Sequence, residues 1–285
     1  MAVPRDALVN VGVCQLPDGL LPDHPAWQDF VRRVESDRPH ILLLNELPFG
    51  PWLPREDSFS DESAAASMAV HEAALRAIER LPSAVIGSRP VRATGKLANE
   101  AFLLVDGRYA VIHHKQYFPQ EADFFEDTWF APAKSGFDVI EHRGIRIGVL
   151  LCTELMFTEW ARHYRRQGAQ LIVAPRASGA SMRHWHASAR MAAIISGCFV
   201  LSSNRFSLAG GSGPHFGGKG FVYSPAGNLL GMTSADRPLL TIGINLALVA
   251  DAQRRYPCNV REIGMPLPLT TATTATRGSV RQLES

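Results

Sequence analysis

Cysteine is scarce in this chain of 285 residues, which contains four: Cys14, Cys152, Cys198 and Cys258. None of them sits in a C-x-x-C pair, so we expect neither a disulfide scaffold nor a cysteine-based zinc site. A surplus of one charge is missing as well, because 29 basic residues face 27 acidic ones, for a net charge of +2. This balance gives no electrostatic reason to expect nucleic acid or an anionic membrane as a partner.

Long hydrophobic runs are also missing. No apolar stretch approaches the ~20 residues needed to span a bilayer, and the N-terminal residues MAVPRDALVN lack the apolar run of a secretory signal. We therefore expect a cytoplasmic protein with no membrane partner. Hydrophobic residues make up 46% of the chain, which is enough for a sizeable core at this length.

Strand and helix patterns alternate along most of the sequence. Apolar strand segments such as 40–44 and 145–151 are separated by helical segments such as 63–81, whose apolar residues recur at helical spacing. This order predicts a layered α/β fold with a mixed sheet and a single domain over residues 1–265. Residues 266–285 are rich in Thr, Pro and Ser, and we expect a disordered tail or an extended arm on a partner subunit.

Three chemically competent side chains follow apolar strands: Glu46 after 40–44, Lys115 after 109–112 and Cys152 after 147–151. Each alone has an ordinary explanation, since most glutamates and lysines are surface charges and a single cysteine is usually a small buried hydrophobe. Ligands of open α/β sheets bind beyond the carboxyl ends of strands, so their shared position indicates thiol chemistry. The helix expected after Cys152 would favour a thiolate.

These segments resemble the nitrilase, or carbon–nitrogen hydrolase, superfamily. LLLNEL (42–47), HKQYFP (114–119) and GVLLCTE (148–154) are similar, in the same order, to the glutamate, lysine and cysteine segments of that family. The resemblance extends over residues 7–245. It implies a four-layer αββα sandwich with mixed sheets, paired into homodimers or larger homo-oligomers.

The resemblance also implies a role for each residue. Cys152 would attack an amide carbon to form a thioester, and Glu46 would act as the general base. Lys115 would stabilise the oxyanion together with the backbone N–H of Thr153. No metal or organic cofactor is expected.

A second glutamate often follows the lysine in this family. The segment EDTWFAP (126–132) resembles its surroundings, with Ala133 where glycine is usual, so Glu126 is the expected residue. It would position the substrate or keep Lys115 charged. Glu121 is a competing match that lies nearer to Lys115 in sequence but lacks the aromatic context.

Three further polar sites have alternative interpretations. Arg176 follows another buried strand and could bind a substrate carboxylate or form a surface salt bridge. Glu154 could line the site, but we favour a structural role because a helix dipole stabilises an acid in the first turn. The run His184-Trp185-His186 is interpreted as loop packing, because residues two apart on a helix point in different directions and cannot share a metal ion.

The leading functional hypothesis is an amidase or N-carbamoyl amide hydrolase that acts on a small molecule. A nitrilase that uses the same residues is the alternative. Nitrile-cleaving relatives commonly carry tryptophan directly after the cysteine, and Thr153 at that position favours amides. A non-catalytic binding protein on the same fold is a third hypothesis, which the competent residues at all three core positions argue against. The substrate stays open.

Overall fold

The computed structural model describes residues 8–208 and 213–261, together with the backbone of residues 281–282. The strands are β1 (Leu8–Pro17), β2 (Ile41–Leu43), β3 (Ala84–Arg92), β4 (Leu97–Val105), β5 (Arg108–His114), β6 (Gln120–Glu121), β7 (Phe124–Phe125), β8 (Ile140–His142), β9 (Ile145–Val149), β10 (Leu171–Arg176), β11 (Phe199–Phe206), β12 (Phe221–Tyr223), β13 (Leu229–Met232), β14 (Leu239–Asn245) and β15 (Arg281–Gln282). The α-helices are α1 (Pro25–Asp37), α2 (Asp61–Glu79), α3 (Glu126–Trp129), α4 (Thr158–Arg166), α5 (Arg183–Ser196) and α6 (Ala247–Gln253), and 3-10 helices cover Leu53–Arg55 and Cys152–Met156.

Within the described residues, thirteen of these strands form a continuous mixed sheet that has two halves. In the first half β1, β2 and β3 run parallel, while β14 and the β4–β5 hairpin are antiparallel to their neighbours. In the second half β9, β10 and β11 run parallel between antiparallel outer strands. The halves join where residues 15–17 of β1 pair with residues 204–206 of β11.

The two halves pack face to face, as the alternation of strand residues shows. Leu43 of β2 and Val173 of β10 lie in one buried cluster between the halves. Their sequence neighbours point to the outer faces, where Leu42 packs with Ile78 of α2 and Ile172 packs with residues of α4 and α5. Because successive strand residues face opposite sides, the layers are helix, sheet, sheet and helix. The expected αββα sandwich is confirmed.

One glycine fixes the approach of a helix to the strand that leads to Cys152. A Cβ atom at Gly148 of β9 would lie 2.5 Å from the ring of Tyr164 on α4. The hydroxyl of Tyr164 donates a hydrogen bond to the carbonyl oxygen of Val149 at 2.6 Å. The helix therefore lies directly against the strand and holds its end in place.

One expected element differs from the structure. The helix expected directly after Cys152 is a short 3-10 helix, and α4 begins only at Thr158. The expected domain boundary at residues 265 and 266 and most of the expected tail lie outside the described residues, and the backbone of 281–282 pairs with β5. Among the described helices, none is both long and apolar enough to cross a bilayer.

Candidate active site

Lys115 lies in the protein interior between two glutamates. Its Nζ donates to Oε1 of Glu46 at 2.7 Å and to Oε2 of Glu126 at 2.5 Å, and the three side chains are almost completely buried. Burial by itself lowers the pKa of Lys115, but the charges of Glu126 and Glu46 outweigh it and raise that pKa above its ordinary value. The side chain is therefore a fixed cation.

Glu46 follows β2, and its two carboxylate oxygens have different surroundings. Oε1 accepts hydrogen bonds from Lys115 and, at 2.8 Å, from Nδ2 of Asn99 on β4. Oε2 accepts none from another described residue. One oxygen thus orients the carboxylate while the other can take a proton. Asn99, for which the sequence predicts no catalytic role, also accepts a backbone hydrogen bond from Lys115 at 2.9 Å.

Glu126, rather than Glu121, contacts Lys115. Burial raises the pKa of the Glu126 carboxyl to about 8, although Lys115 acts in the opposite direction. The single cation of Lys115 therefore contacts two carboxyl groups, and the one on Glu126 holds a proton near neutral pH. Glu121 lies on β6 with an exposed side chain.

Cys152 occupies the sharp turn at which β9 gives way to the 3-10 helix. Its φ is +50°, a left-handed conformation that costs a non-glycine residue of the order of 1–2 kcal/mol. Its side chain is buried, and the Sγ lies 3.9 Å from the carbonyl oxygen of Ala177. Burial and the charge of Glu46 raise the pKa of the thiol above its ordinary value, in spite of Lys115.

The expectation that a helix would stabilise the thiolate of Cys152 is therefore wrong. The 3-10 helix has five residues, so its dipole is small, and desolvation decides which form is favoured. Burial and the charge of Glu46 therefore favour the thiol over the thiolate. Any attack by this sulfur needs a base that removes its proton. Glu46 and Lys115 both lie near enough for their charges to change the pKa of the thiol, which Glu46 raises and Lys115 lowers.

A cavity of about 260 Å³ opens onto Cys152. Three segments line it: 119–126, 152–156 and 177–185. Cys152, Thr153 and Glu126 are all part of its wall, so the thiol and one member of the buried charge cluster face the same space. The volume lies below the ~300–1,000 Å³ typical of pockets for drug-sized ligands, which suits a small substrate.

Glu154 connects the turn at Cys152 to the end of β5 and to the residues around Lys115 that follow it. Its Oε2 accepts from the backbone N–H of Leu151 at 2.7 Å and lies 2.8 Å from Nε2 of His113, while Oε1 accepts from the backbone N–H of Gln116 at 2.7 Å. Glu154 is fully buried and is not part of the cavity wall. The structural interpretation agrees with this position, but hydrogen bonds to two segments, rather than a helix dipole, explain it.

We expect Glu154→Gln to lower both the stability and the turnover number. Glutamine offers one acceptor oxygen where glutamate offers two, so the N–H of Leu151 or Gln116 loses a charge-assisted bond worth about 1.5–3 kcal/mol. The free energy of unfolding in urea and the rate of amide hydrolysis measure the two effects. The exposed Glu141 of β8 supplies the control, and Glu141→Gln should change stability by less than about 0.5 kcal/mol. A Glu154→Gln protein as stable as this control would contradict the inference.

Arg176 does not form a surface salt bridge, which was one of its two expected roles. Its guanidinium is fully buried, donates to the hydroxyls of Ser202 (2.6 Å) and Ser178 (2.8 Å) and to the carbonyl oxygen of Lys219 (3.3 Å), and stacks on the ring of Trp185. A surface salt bridge is excluded by this burial. The side chain is not part of the cavity wall, nor are those of Glu46 and Lys115, so the binding of a substrate carboxylate by Arg176 stays a prediction.

The run His184-Trp185-His186 lies in the first turn of α5, so its assignment to a loop was wrong. His184 and Trp185 line the cavity. His186 points elsewhere, with its Nδ1 2.7 Å from the hydroxyl of Tyr223. The sequence pattern gave no sign that this turn forms one wall of the cavity, because that depends on how α5 packs against the segment of Cys152.

Comparisons with known proteins agree with this architecture. A family model described as carbon-nitrogen hydrolase matches residues 10–254. An omega-amidase from Xenopus tropicalis is 27% identical over 179 residues, which are 60% of this chain and 64% of that protein. An N-carbamoylputrescine amidase from Arabidopsis thaliana is 24% identical over 248 residues, which are 79% of this chain and 82% of that protein. The chain thus spans less than two thirds of the first of these relatives.

A similar fold is found among solved structures. A carbon–nitrogen hydrolase from Helicobacter pylori G27 superposes with a TM-score of 0.78 at 21% identity, over 89% of this chain and 94% of that one. At this identity the likeness is one of fold. The family model, however, covers most of the sequence, including the segments of Glu46, Lys115 and Cys152. The resemblance seen in the sequence is confirmed, and the chain belongs to the carbon–nitrogen hydrolase family.

Proposed function

We propose that this carbon–nitrogen hydrolase cleaves the C–N bond of a small amide or N-carbamoyl compound through a thioester on Cys152. The observation that carries the proposal is the buried lysine held between Glu46 and Glu126, beside a thiol that opens onto a cavity. A buried charge cluster is costly to fold unless each charge is compensated, and perturbed groups of this kind concentrate at catalytic sites.

The first half of the reaction forms the thioester. Oε2 of Glu46 removes the proton of Cys152 as the sulfur attacks the amide carbon, because a thiol with a raised pKa does not ionise beforehand. The carbonyl oxygen becomes an oxyanion, which Lys115 and the backbone N–H of Thr153 stabilise. Glu46 then donates the proton to the nitrogen, the C–N bond breaks, and ammonia or an amine leaves.

The second half releases the product. Water enters the cavity and gives a proton to Glu46 while its oxygen attacks the thioester carbon. The same oxyanion donors stabilise the second tetrahedral intermediate. The C–S bond breaks and the sulfur recovers a proton from Glu46, so a carboxylic acid and the free thiol remain. Glu126 holds Lys115 in position throughout both steps.

Ammonia release from a matched amide and nitrile tests the proposal. We expect propionamide to yield ammonia and an acyl adduct on Cys152, which mass spectrometry of acid-quenched protein locates. Ammonia from propionitrile but not from propionamide would instead support the nitrilase alternative. Absence of any product, combined with equal alkylation of all four cysteines by iodoacetamide, would favour the non-catalytic binding protein.

We also propose that the protein acts in a reducing compartment such as the cytoplasm, and as a homo-oligomer. A thiol nucleophile has to stay reduced, and all four cysteines are free. Exposed apolar side chains on the edge strand β13, namely those of Leu229, Leu230 and Met232, are compatible with a contact between copies of the chain.

A further inference from the structure

The charges along the cavity wall bear on the chemistry of the substrate's far end. Among the described residues, the wall contains two acids, Glu121 and Glu126, and neither lysine nor arginine. Glu126 is already engaged by Lys115. Glu121 is therefore the wall carboxylate that is left to meet a ligand. The loop residues 209–212, which the structure does not describe, carry no charged side chain.

Glu121 is placed to bind rather than to react. It belongs to the short hairpin of β6 and β7, where its backbone pairs with that of Phe124, another wall residue. Its side chain is exposed, so it lies on the rim of the cavity, whereas Cys152 is buried. Within the described ranges, the carboxylate forms no salt bridge with the protein.

The two buried cations near the cavity, Arg176 and Lys115, have partners within the protein and are not part of the cavity wall. Arg176 is buried outside the wall, and its three nitrogens donate to Ser202, Ser178 and Lys219. Lys115 is held by two glutamates. His184 is the remaining basic residue of the wall.

We propose that the substrate carries a positively charged amine at the end remote from the amide, and that Glu121 binds this amine at the rim. The inference rests on the proposed function, and it reverses the charge that the sequence suggested through Arg176. A carboxylate at the same place would meet Glu121 with no cation in the wall to compensate for the repulsion. An ammonium group would gain a charge-assisted hydrogen bond.

Three amides of nearly equal length test the charge preference. 5-Aminopentanamide is a cation, hexanamide is neutral with the same number of non-hydrogen atoms, and 4-carbamoylbutanoate is an anion. We expect kcat/KM to fall in that order, with an advantage of about three- to five-fold for the cation over the neutral amide, as for a solvent-exposed ion pair. Added salt should reduce this advantage.

Glu121→Gln identifies the residue responsible. This variant should lose the preference for the cation: its kcat/KM for 5-aminopentanamide should fall to the value that the same variant shows for hexanamide. Glu141→Gln removes the same charge from a surface site outside the wall and should keep the preference. Circular dichroism checks that both variants are folded.

The outcomes separate this inference from the proposed function. Hydrolysis of hexanamide or 4-carbamoylbutanoate as fast as that of 5-aminopentanamide would overturn the inference and leave the amidase proposal intact. A cation preference that survives Glu121→Gln would overturn the role of this residue. Failure of all three amides to acylate Cys152 would overturn the proposed function, and the inference with it.

Discussion

Lys115→Met is expected to abolish turnover and to lower the free energy of unfolding by about 3–5 kcal/mol. Methionine has a similar length, but it leaves Glu46 and Glu126 buried without the cation that both contact. The charge of Glu46 then has no cation to compensate it in the dry interior, and the oxyanion loses its charged donor. Urea denaturation measures the first effect and ammonia release measures the second.

A double variant separates the two effects. In Lys115→Met/Glu46→Gln the carboxylate that the cation balances at neutral pH becomes a neutral amide, so much of the lost stability should return while turnover stays absent. Glu126→Gln alone is the matched control. It should be folded at neutral pH, because the wild-type carboxyl, with a pKa of about 8, is already protonated there. A double variant as unstable as Lys115→Met would contradict an electrostatic origin.

The free energy of unfolding of the Glu126→Gln variant should also depend on pH differently from that of the wild type. The pKa of Glu126 is raised from 4.5 to about 8 on folding, so the native state binds this proton more tightly than the unfolded chain does. The resulting stability is complete below pH 4.5 and is lost as the pH rises through 8. Glu126→Gln should remove this decline from the curve of stability against pH.

The positions of the central residues were predictable because strand direction is a local property. Apolar runs followed by Glu46, Lys115 and Cys152 mark strand ends, and parallel strand ends meet at one edge of a sheet. The hydrogen bond between Lys115 and Glu46 at 2.7 Å joins residues 69 positions apart. The alternation of elements predicted a layered α/β fold with a mixed sheet, and the number of layers came from the family resemblance.

The direction of a side chain beyond a strand end was not predictable. Arg176 is the last residue of β10 and Glu46 follows β2. The guanidinium of Arg176 nevertheless turns inward because Ser202, on the neighbouring strand β11, accepts its hydrogen bond. Glu154 likewise owes its position to Gln116 on another segment. Such partners are distant in sequence, and the local hydrophobic periodicity of the sequence contains no information about them.

Three short elements were not predicted from the sequence, for another reason. The strands β6 and β7 have two residues each and α3 has four, which is too few for a hydrophobic period to develop. This segment nevertheless places Glu121 on the cavity rim and Glu126 in the charge cluster. The structure was therefore needed to decide which of these two glutamates contacts Lys115.

Cys152→Ala is expected to lower turnover by at least about 10⁴-fold, since the loss of a nucleophile removes the covalent route altogether. The fold should be retained. The sulfur makes one weak contact, at 3.9 Å to the carbonyl oxygen of Ala177, and alanine adopts the same left-handed turn with a similar strain. Steady-state ammonia release and thermal unfolding are the measurements.

Cys198 provides the matched comparison, because it is an equally buried thiol that lies away from the cavity. Its Sγ contacts the carbonyl oxygen of Ala169 at 3.2 Å. Cys198→Ala should lose about 1–2 kcal/mol of stability through the missing packing and hydrogen bond, yet keep its turnover. Cys152→Ala should show the opposite pattern. If the two variants lose turnover equally, or if Cys152→Ala remains active, the sulfur at position 152 is not the nucleophile.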